Sequence, residues 1–155
     1  KVLNGNLYRN IEWPVVVMLA AMIPVGQALE TSGISLNIAN FISASTAGMA
    51  LPWLILMILV ITMFVSDIVN NAATAVIMAP IAANLAIQVG QPVEPFLMAV
   101  AVGASCAFLS PIGHQCNTLI MAPGNYKFGD YWRLGLPLEC VIVAISIPMI
   151  LFVWT

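Results

Sequence analysis

Two short polar clusters stand inside long apolar runs of this chain, and they hold most of the side chains able to do chemistry. The first, Ser66-Asp67-Ile68-Val69-Asn70-Asn71, carries one acid and two adjacent amides, and the second, Ser110-Pro111-Ile112-Gly113-His114-Gln115-Cys116-Asn117, carries the only histidine. Asn70 and Asn71 offer N–H donors to an anion and carbonyl oxygens to a cation, and His114, Gln115 and Asn117 add further neutral donors. Asp67 has no cation near it in sequence. An ionised carboxylate at membrane depth costs about 2.5 kcal/mol or more, so Asp67 must face protein or water. Two readings of it stay open: a cation or proton coupling site, or a helix-end cap accepting from the amides of Asn70 and Asn71. Asp67, Ser110 and His114 are present, but nothing in their spacing makes a triad, so no catalytic residue is assigned and the chain reads as no enzyme. A single imidazole with no second ligand at metal spacing gives no transition-metal site. Cys106, Cys116 and Cys140 show no C-x-x-C pattern, and no cofactor is implied.

The elements that position these residues belong to a membrane. Of 155 residues, 62% are hydrophobic and 6% charged, with mean hydropathy +1.05. Soluble domains carry roughly 25% charged residues, so this composition excludes that class. A net charge of −2 with no basic patch excludes nucleic acid as a partner. The run from Trp13 to Leu29 would rise about 26 Å as a helix, close to a bilayer core, so 13–29 is expected to span. Residues 34–46 interleave isoleucines and Phe41 with serines and asparagines, the pattern of an amphipathic helix lying in the interface. Two apolar arms then flank the first polar cluster. The interruption contains no Gly, Pro or basic residue and runs into Ala72-Ala73-Thr74-Ala75, which favours a tip packed inside protein. On this reading 49–89 is a re-entrant hairpin with its tip at 66–72, although two full spans joined by a tight loop fit the same lengths.

Residues 96–122 form a span broken at the second cluster. Pro111 removes a backbone donor and Gly113 weakens the next turn, so the helix should open near Pro111. Non-helical backbone at membrane depth is tolerated only where protein covers it or where it lines a watery cavity. Two such breaks at comparable depth are how transporters build midplane sites. The stretch 123–133 reads as a surface loop and 134–154 as the final span, interrupted by Pro137, Glu139 and Pro148. Lys1, Arg9, Lys127 and Arg133 fall on one side, which the positive-inside rule makes cytoplasmic.

Ser66 to Ala75 followed by Pro80-Ile81, then Ala104-Ser105 through Asn117 with Pro123-Gly124-Asn125-Tyr126, Asp130 and Gly135-Leu136-Pro137-Leu138, resembles the second half of the divalent anion/sodium symporters of the ion transporter superfamily, the dicarboxylate and sulfate permeases. The resemblance implies an all-α integral membrane fold: the second half of an inverted-repeat transporter with an interfacial helix, a re-entrant helical hairpin and a broken transmembrane helix. It implies an upstream first repeat as partner, a homodimer, and a multi-pass place in the cell (inner or plasma) membrane. It also implies a small inorganic or organic anion as ligand, contacted by Asn70, Asn71, Ala72, His114, Gln115 and Asn117. Sodium, as a co-substrate, would be held by Ser66, Val69, Asn71 and Gly113, with Asp67 in coupling. The tip departs from the usual Ser-Asn-Thr by Asn70 and Ala72, which remove two hydroxyls. An Asn-Asn tip with this Gly-His-Gln break looks more like permeases that carry regulatory cytosolic domains between their halves.

The function expected is secondary active transport of a divalent anion, sulfate or a di- or tricarboxylate, coupled to sodium and working by alternating access. Two other classes compete with it: an oxyanion or arsenite channel or exporter, and a non-transporting membrane scaffold subunit. Because the sequence opens at Lys1 without an initiator Met, a longer parent chain is expected.

Overall fold

A computed structural model describes residues 31–154 apart from 47 and 122, together with scattered positions between 16 and 28. Among the described residues every regular element is helical: α1 (Ile34–Ser45), α2 (Leu51–Ile68), α3 (Asn71–Gln88), α4 (Glu94–Ala104), α5 (Gln115–Met121), a 3-10 turn at Phe128–Asp130 and α6 (Tyr131–Trp154). Most of the span expected at 13–29 lies outside the described residues. Three helices are long and apolar enough to cross a membrane, Leu51–Ile68, Asn71–Gln88 and Phe128–Trp154.

Apolar periodicity explains the centre of the bundle. Leu54, Ile55, Ile58, Leu59, Thr62, Met63 and Ser66 recur every third or fourth residue and form the buried stripe of α2. On α3 the buried set is smaller, with Ala73, Thr74, Ala82 and Ala86 among it, which lets backbones come close. Phe96, Ala99 and Val100 of α4 complete the core. Contacts of α4 with α2 and with α3 are more extensive than those of α2 with α3, so α4 is wedged between the two arms. The outer helix α6 buries only Gly135 and Ile150 among its described residues, and shows Leu134, Ile145 and Phe152 outward.

Helix α1 inverts the rule of soluble proteins. It buries Ser35 and Ala39 and exposes Ile34, Leu36, Ile38 and Phe41, the last 75% exposed. Its polar side meets α3, where Asn84 Nδ2 donates to Ser35 Oγ at 3.4 Å. Gly33, at φ 71°, sets the left-handed turn from which the helix starts.

Element boundaries differ from the sequence-based expectation in three places. The first polar cluster is mostly helical: α2 runs through Ser66, Asp67 and Ile68, and only Val69 and Asn70 separate it from α3. Asn70 makes this possible by capping α3, its Oδ1 accepting from the Ala73 N–H at 2.8 Å. The second break opens at Ser105, well before Pro111. There the Ser105 hydroxyl turns back to the Ala101 carbonyl at 2.8 Å and the Ser66 hydroxyl donates to the Ala104 carbonyl at 2.8 Å, so both carbonyls have partners other than a following turn. The final helix begins at Tyr131 rather than 134, because Asp130 accepts from the Lys127 N–H at 2.8 Å and returns its own N–H to the Lys127 carbonyl at 2.9 Å.

Candidate functional site

The two breaks meet. Four hydrogen bonds hold the C-terminal end of α2 to the second break and to the tip. Ser66 Oγ lies 2.8 Å from the Ala104 carbonyl and 2.9 Å from Asn71 Oδ1. Asp67 Oδ1 accepts from the Leu109 N–H at 2.9 Å, and the Ser110 hydroxyl donates to the Asp67 carbonyl at 2.6 Å. Asp67 thus reaches a backbone amide forty-two residues away along the chain.

Inside the second break Ser110 is the organising side chain. Its oxygen also accepts from the N–H groups of Ile112 and Gly113, both at 3.2 Å. This closes a tight turn of the kind serine makes with its own following amides. Asn117 braces the same loop by donating through Nδ2 to the Ala107 carbonyl at 2.8 Å and the Ser110 carbonyl at 3.1 Å. Thr118 donates to the Pro111 carbonyl at 2.6 Å, and the Tyr131 hydroxyl donates to the Asn117 carbonyl at 2.7 Å. The carbonyls freed by breaking the helix are therefore largely satisfied by side chains, as a water-poor environment demands.

Gly113 is where the loop touches α2. A Cβ built there would stand 2.7 Å from the Ser66 carbonyl oxygen, 2.7 Å from the Ala107 Cβ and 3.0 Å from the Asp67 Cα. Only glycine fits so near a neighbouring backbone. On the other side Gly135 of α6 is pressed against the Phe108 carbonyl in the same way.

Between the tip and the break lies a cavity of about 410 Å³ lined by Asn71, Ser105, Ala107, Phe108, His114, Cys116 and Asn117. That is within the range of roughly 300–1,000 Å³ found for small-molecule sites. Three of the residues singled out from sequence, Asn71, His114 and Asn117, come together there. The single hydroxyl hydrogen of Ser66 is shared between the Ala104 carbonyl and Asn71 Oδ1, which leaves Nδ2 as the donor of Asn71. His114 Nδ1 accepts from the Cys116 N–H at 3.2 Å. That lone pair places the hydrogen of a neutral imidazole on Nε2, again a donor. Asn117 has committed both Nδ2 hydrogens to the loop and acts on the cavity through position. Val69 and Ala72 are half-buried beside the tip, Asn70 is exposed, and Gln115 is the first residue of α5. Among the described residues no group of three or more His, Cys, Asp or Glu could hold a metal ion.

Glu139, which pattern alone makes a mere interruption of the last span, belongs to this region as well. It stands one turn after Gly135 on α6, and its Oε1 is buried without a hydrogen-bond partner among the described residues. An acid in an apolar helix, four residues from a glycine, is a signal that sequence does contain.

A helical bundle with three span-length helices, two of its helix ends broken open around a donor-lined cavity, defines a multi-pass membrane transporter segment. The citrate transporter family matches residues 2–103 and 49–155, and the chain belongs to it. It is 37% identical over 146 residues to an uncharacterized transporter of Synechocystis sp., covering 94% of this chain and 24% of that one. Sodium/sulfate cotransporter 2 of Chlamydomonas reinhardtii is 30% identical over 141 residues, 88% of this chain and 16% of the relative. Sodium-dependent high-affinity dicarboxylate transporter 3 of Caenorhabditis elegans is 30% identical over 142 residues, 90% and 25%. These relatives are transporters, in keeping with the resemblance drawn from the two polar clusters, and enzymatic chemistry has no place among them. The chain spans about a quarter of the length of the curated relatives it matches first.

Proposed function

We propose that the protein containing this chain is a secondary active transporter that carries a divalent anion, sulfate or a di- or tricarboxylate, coupled to sodium and working by alternating access. The observation that carries this reading is the cavity at the meeting of the two breaks, whose lining presents Asn71 Nδ2 and His114 Nε2 as donors and contains no lysine or arginine. An anion held there is stabilised by neutral N–H groups and by the N-terminus of α3, which carries roughly half a positive charge. With no cation from the described lining, a divalent anion needs a co-bound positive ion. Sodium on the tip oxygens of Ser66, Val69 and Asn71 and on the Gly113 backbone supplies it. Asn70 and Ala72 shape the tip, Gln115 and Asn117 the opposite wall, and an upstream repeat and a second protomer complete the assembly. Asp67 joins the two walls and couples them.

Uptake of labelled sulfate, succinate and citrate into vesicles containing the full-length protein tests this. Sodium-dependent uptake of at least one anion is expected, abolished by Ser66→Ala and by Asn71→Ala. Uptake of every tested anion that proceeds unchanged without sodium removes the coupling. An ungated pore would show the same Asn71→Ala variant only modestly altered.

A further inference from the structure

Position is not all that Asn117 brings to the cavity. An asparagine amide has one donating and one accepting end, and its partners decide which end faces where. Both partners of Asn117 Nδ2 are backbone carbonyls, Ala107 at 2.8 Å and Ser110 at 3.1 Å, which accept and cannot donate. The amide is thereby fixed in one orientation, with Oδ1 as its free end. That oxygen has no hydrogen-bond partner among the described residues and is not shut from solvent. Ser105, on the same lining, is fixed in a similar way. Its hydroxyl hydrogen goes back to the Ala101 carbonyl at 2.8 Å, so the exposed Ser105 offers a ligand only the lone pairs of its oxygen.

The side chains lining the cavity of about 410 Å³ therefore present donors in Asn71 Nδ2 and His114 Nε2, and acceptors in Asn117 Oδ1 and Ser105 Oγ. Such a mixed lining discriminates among anions. Sulfate and succinate, fully ionised, carry acceptors alone. Their oxygens suit the two donors, but an oxygen set against Asn117 Oδ1 brings lone pair to lone pair and leaves both desolvated groups unpaired. An anion of the same charge with one hydroxyl hydrogen satisfies both kinds of group. A site that hydrogen-bonds a ligand hydroxyl rejects the analogue lacking it far more strongly than an apolar wall rejects a small change of size.

We propose that Asn117 Oδ1, with Ser105 Oγ as a second acceptor, determines the specificity of this cavity, and that the ligand it selects is a dianion bearing a hydroxyl, either a hydroxydicarboxylate or a monohydrogen oxyanion, over sulfate and unsubstituted dicarboxylates. This selection rests on the cavity being the anion site of the proposed transporter, and it narrows the class of anion that enters. One amide then has two tasks: its nitrogen holds the loop of the second break closed, and its oxygen reads the ligand.

The test measures binding to the purified full-length protein in sodium chloride, by ligand-dependent thermal stabilisation, for matched ligands. Malate is set against succinate and 2-fluorosuccinate, and inorganic phosphate against sulfate, in a mildly alkaline buffer that keeps phosphate as its monohydrogen dianion. Malate should bind about tenfold or more tightly than succinate, and than 2-fluorosuccinate, whose fluorine replaces the hydroxyl but has no hydrogen to give. An advantage confined to phosphate over sulfate places the selected hydroxyl on a compact oxyanion instead. Asn117→Ala also loosens the loop and weakens every ligand, so the decisive quantity is the ratio of affinities within a pair. That ratio should fall towards one in Asn117→Ala and part of the way in Ser105→Ala, whereas a residue that only braces the loop leaves it unchanged. If Asn117→Ala does not fold, Ser105→Ala carries the comparison. Equal affinities within both pairs overturn the proposal, as does 2-fluorosuccinate matching malate where malate exceeds succinate. So does a wild-type ratio kept by every variant that folds. Vesicle uptake separates this outcome from the transport reading. Sodium-dependent uptake of malate and succinate with equal affinity leaves the transporter and removes the selection. A malate preference that depends on Asn117, in a protein that moves no anion, leaves the selection and removes transport. Stabilisation by none of the anions removes both.

Discussion

Gly113→Ala is the sharpest probe of how the two breaks are joined. The added Cβ would sit 2.7 Å from the Ser66 carbonyl oxygen and from the Ala107 Cβ, neither of which is the free end of a flexible side chain. Relief means opening the contact from 2.7 Å to the 3.4 Å at which ordinary packing begins, about 0.7 Å. The same opening along the Asp67–Leu109 bond, now 2.9 Å, takes it to about 3.6 Å, where it is no longer a hydrogen bond. Overpacking of this kind costs about 1–3 kcal/mol, and stranding a buried carboxylate adds about 1–3 kcal/mol more. The combined loss is on the order of 2–6 kcal/mol, whether the break moves or the site deforms. The assay compares the full-length wild type, Gly113→Ala and Gly129→Ala by thermal denaturation in detergent and by anion uptake. Gly129, with nothing within 4 Å of its built Cβ, is the control and should be silent. If Gly113→Ala denatures with the wild type and transports normally, the close approach of the loop to α2 does not exist.

Other substitutions act on single contacts. Thr74 is fully buried and its Oγ1 has no partner among the described residues, so Thr74→Val should leave stability unchanged or raise it by about 1 kcal/mol, read as a higher denaturation temperature; a clear fall would mean the hydroxyl has a partner. Asn70→Ala removes the cap of α3 and should cost about 1 kcal/mol by the same measurement, with Asn70→Asp recovering most of it. Tyr131→Phe deletes the 2.7 Å bond to the Asn117 carbonyl and should cost about 0.5–1.5 kcal/mol, and a neutral result would show that α6 does not brace α5.

Much of the fold is legible in the sequence because it rests on local pattern. The apolar stripe of α2, the small-residue run opening α3 and the Pro-Gly interruption before α5 are all written within a few residues of where they act. The features that pattern hides depend on distance along the chain. Asp67 looks like a cap for its own neighbours, Asn70 and Asn71, yet its Oδ1 holds Leu109, because the loop folds back over the end of α2 and brings an extended amide within reach. The onset of the second break is hidden for a related reason: Pro111 is the visible breaker, but the Ser66 hydroxyl, from another helix, takes the Ala104 carbonyl and lets α4 stop early. Glu139 gains meaning only from Gly135, whose contact with Phe108 sets α6 against the loop. Among the site residues, Asn71 and His114 are recognisable by type, whereas the commitment of Asn117 to bracing the loop needs the geometry of Ala107 and Ser110.

The position of α6 on the outside of the bundle sets how freely its sequence can vary. Leu134, Ile145 and Phe152 face away from the rest of the chain, and any apolar residue of similar size would serve there as well. Gly135 admits no side chain at all. A library saturating this helix would therefore recover a lopsided alphabet: nearly interchangeable hydrophobes around most of its circumference, and one column fixed at glycine, a turn ahead of the acid whose placement depends on it.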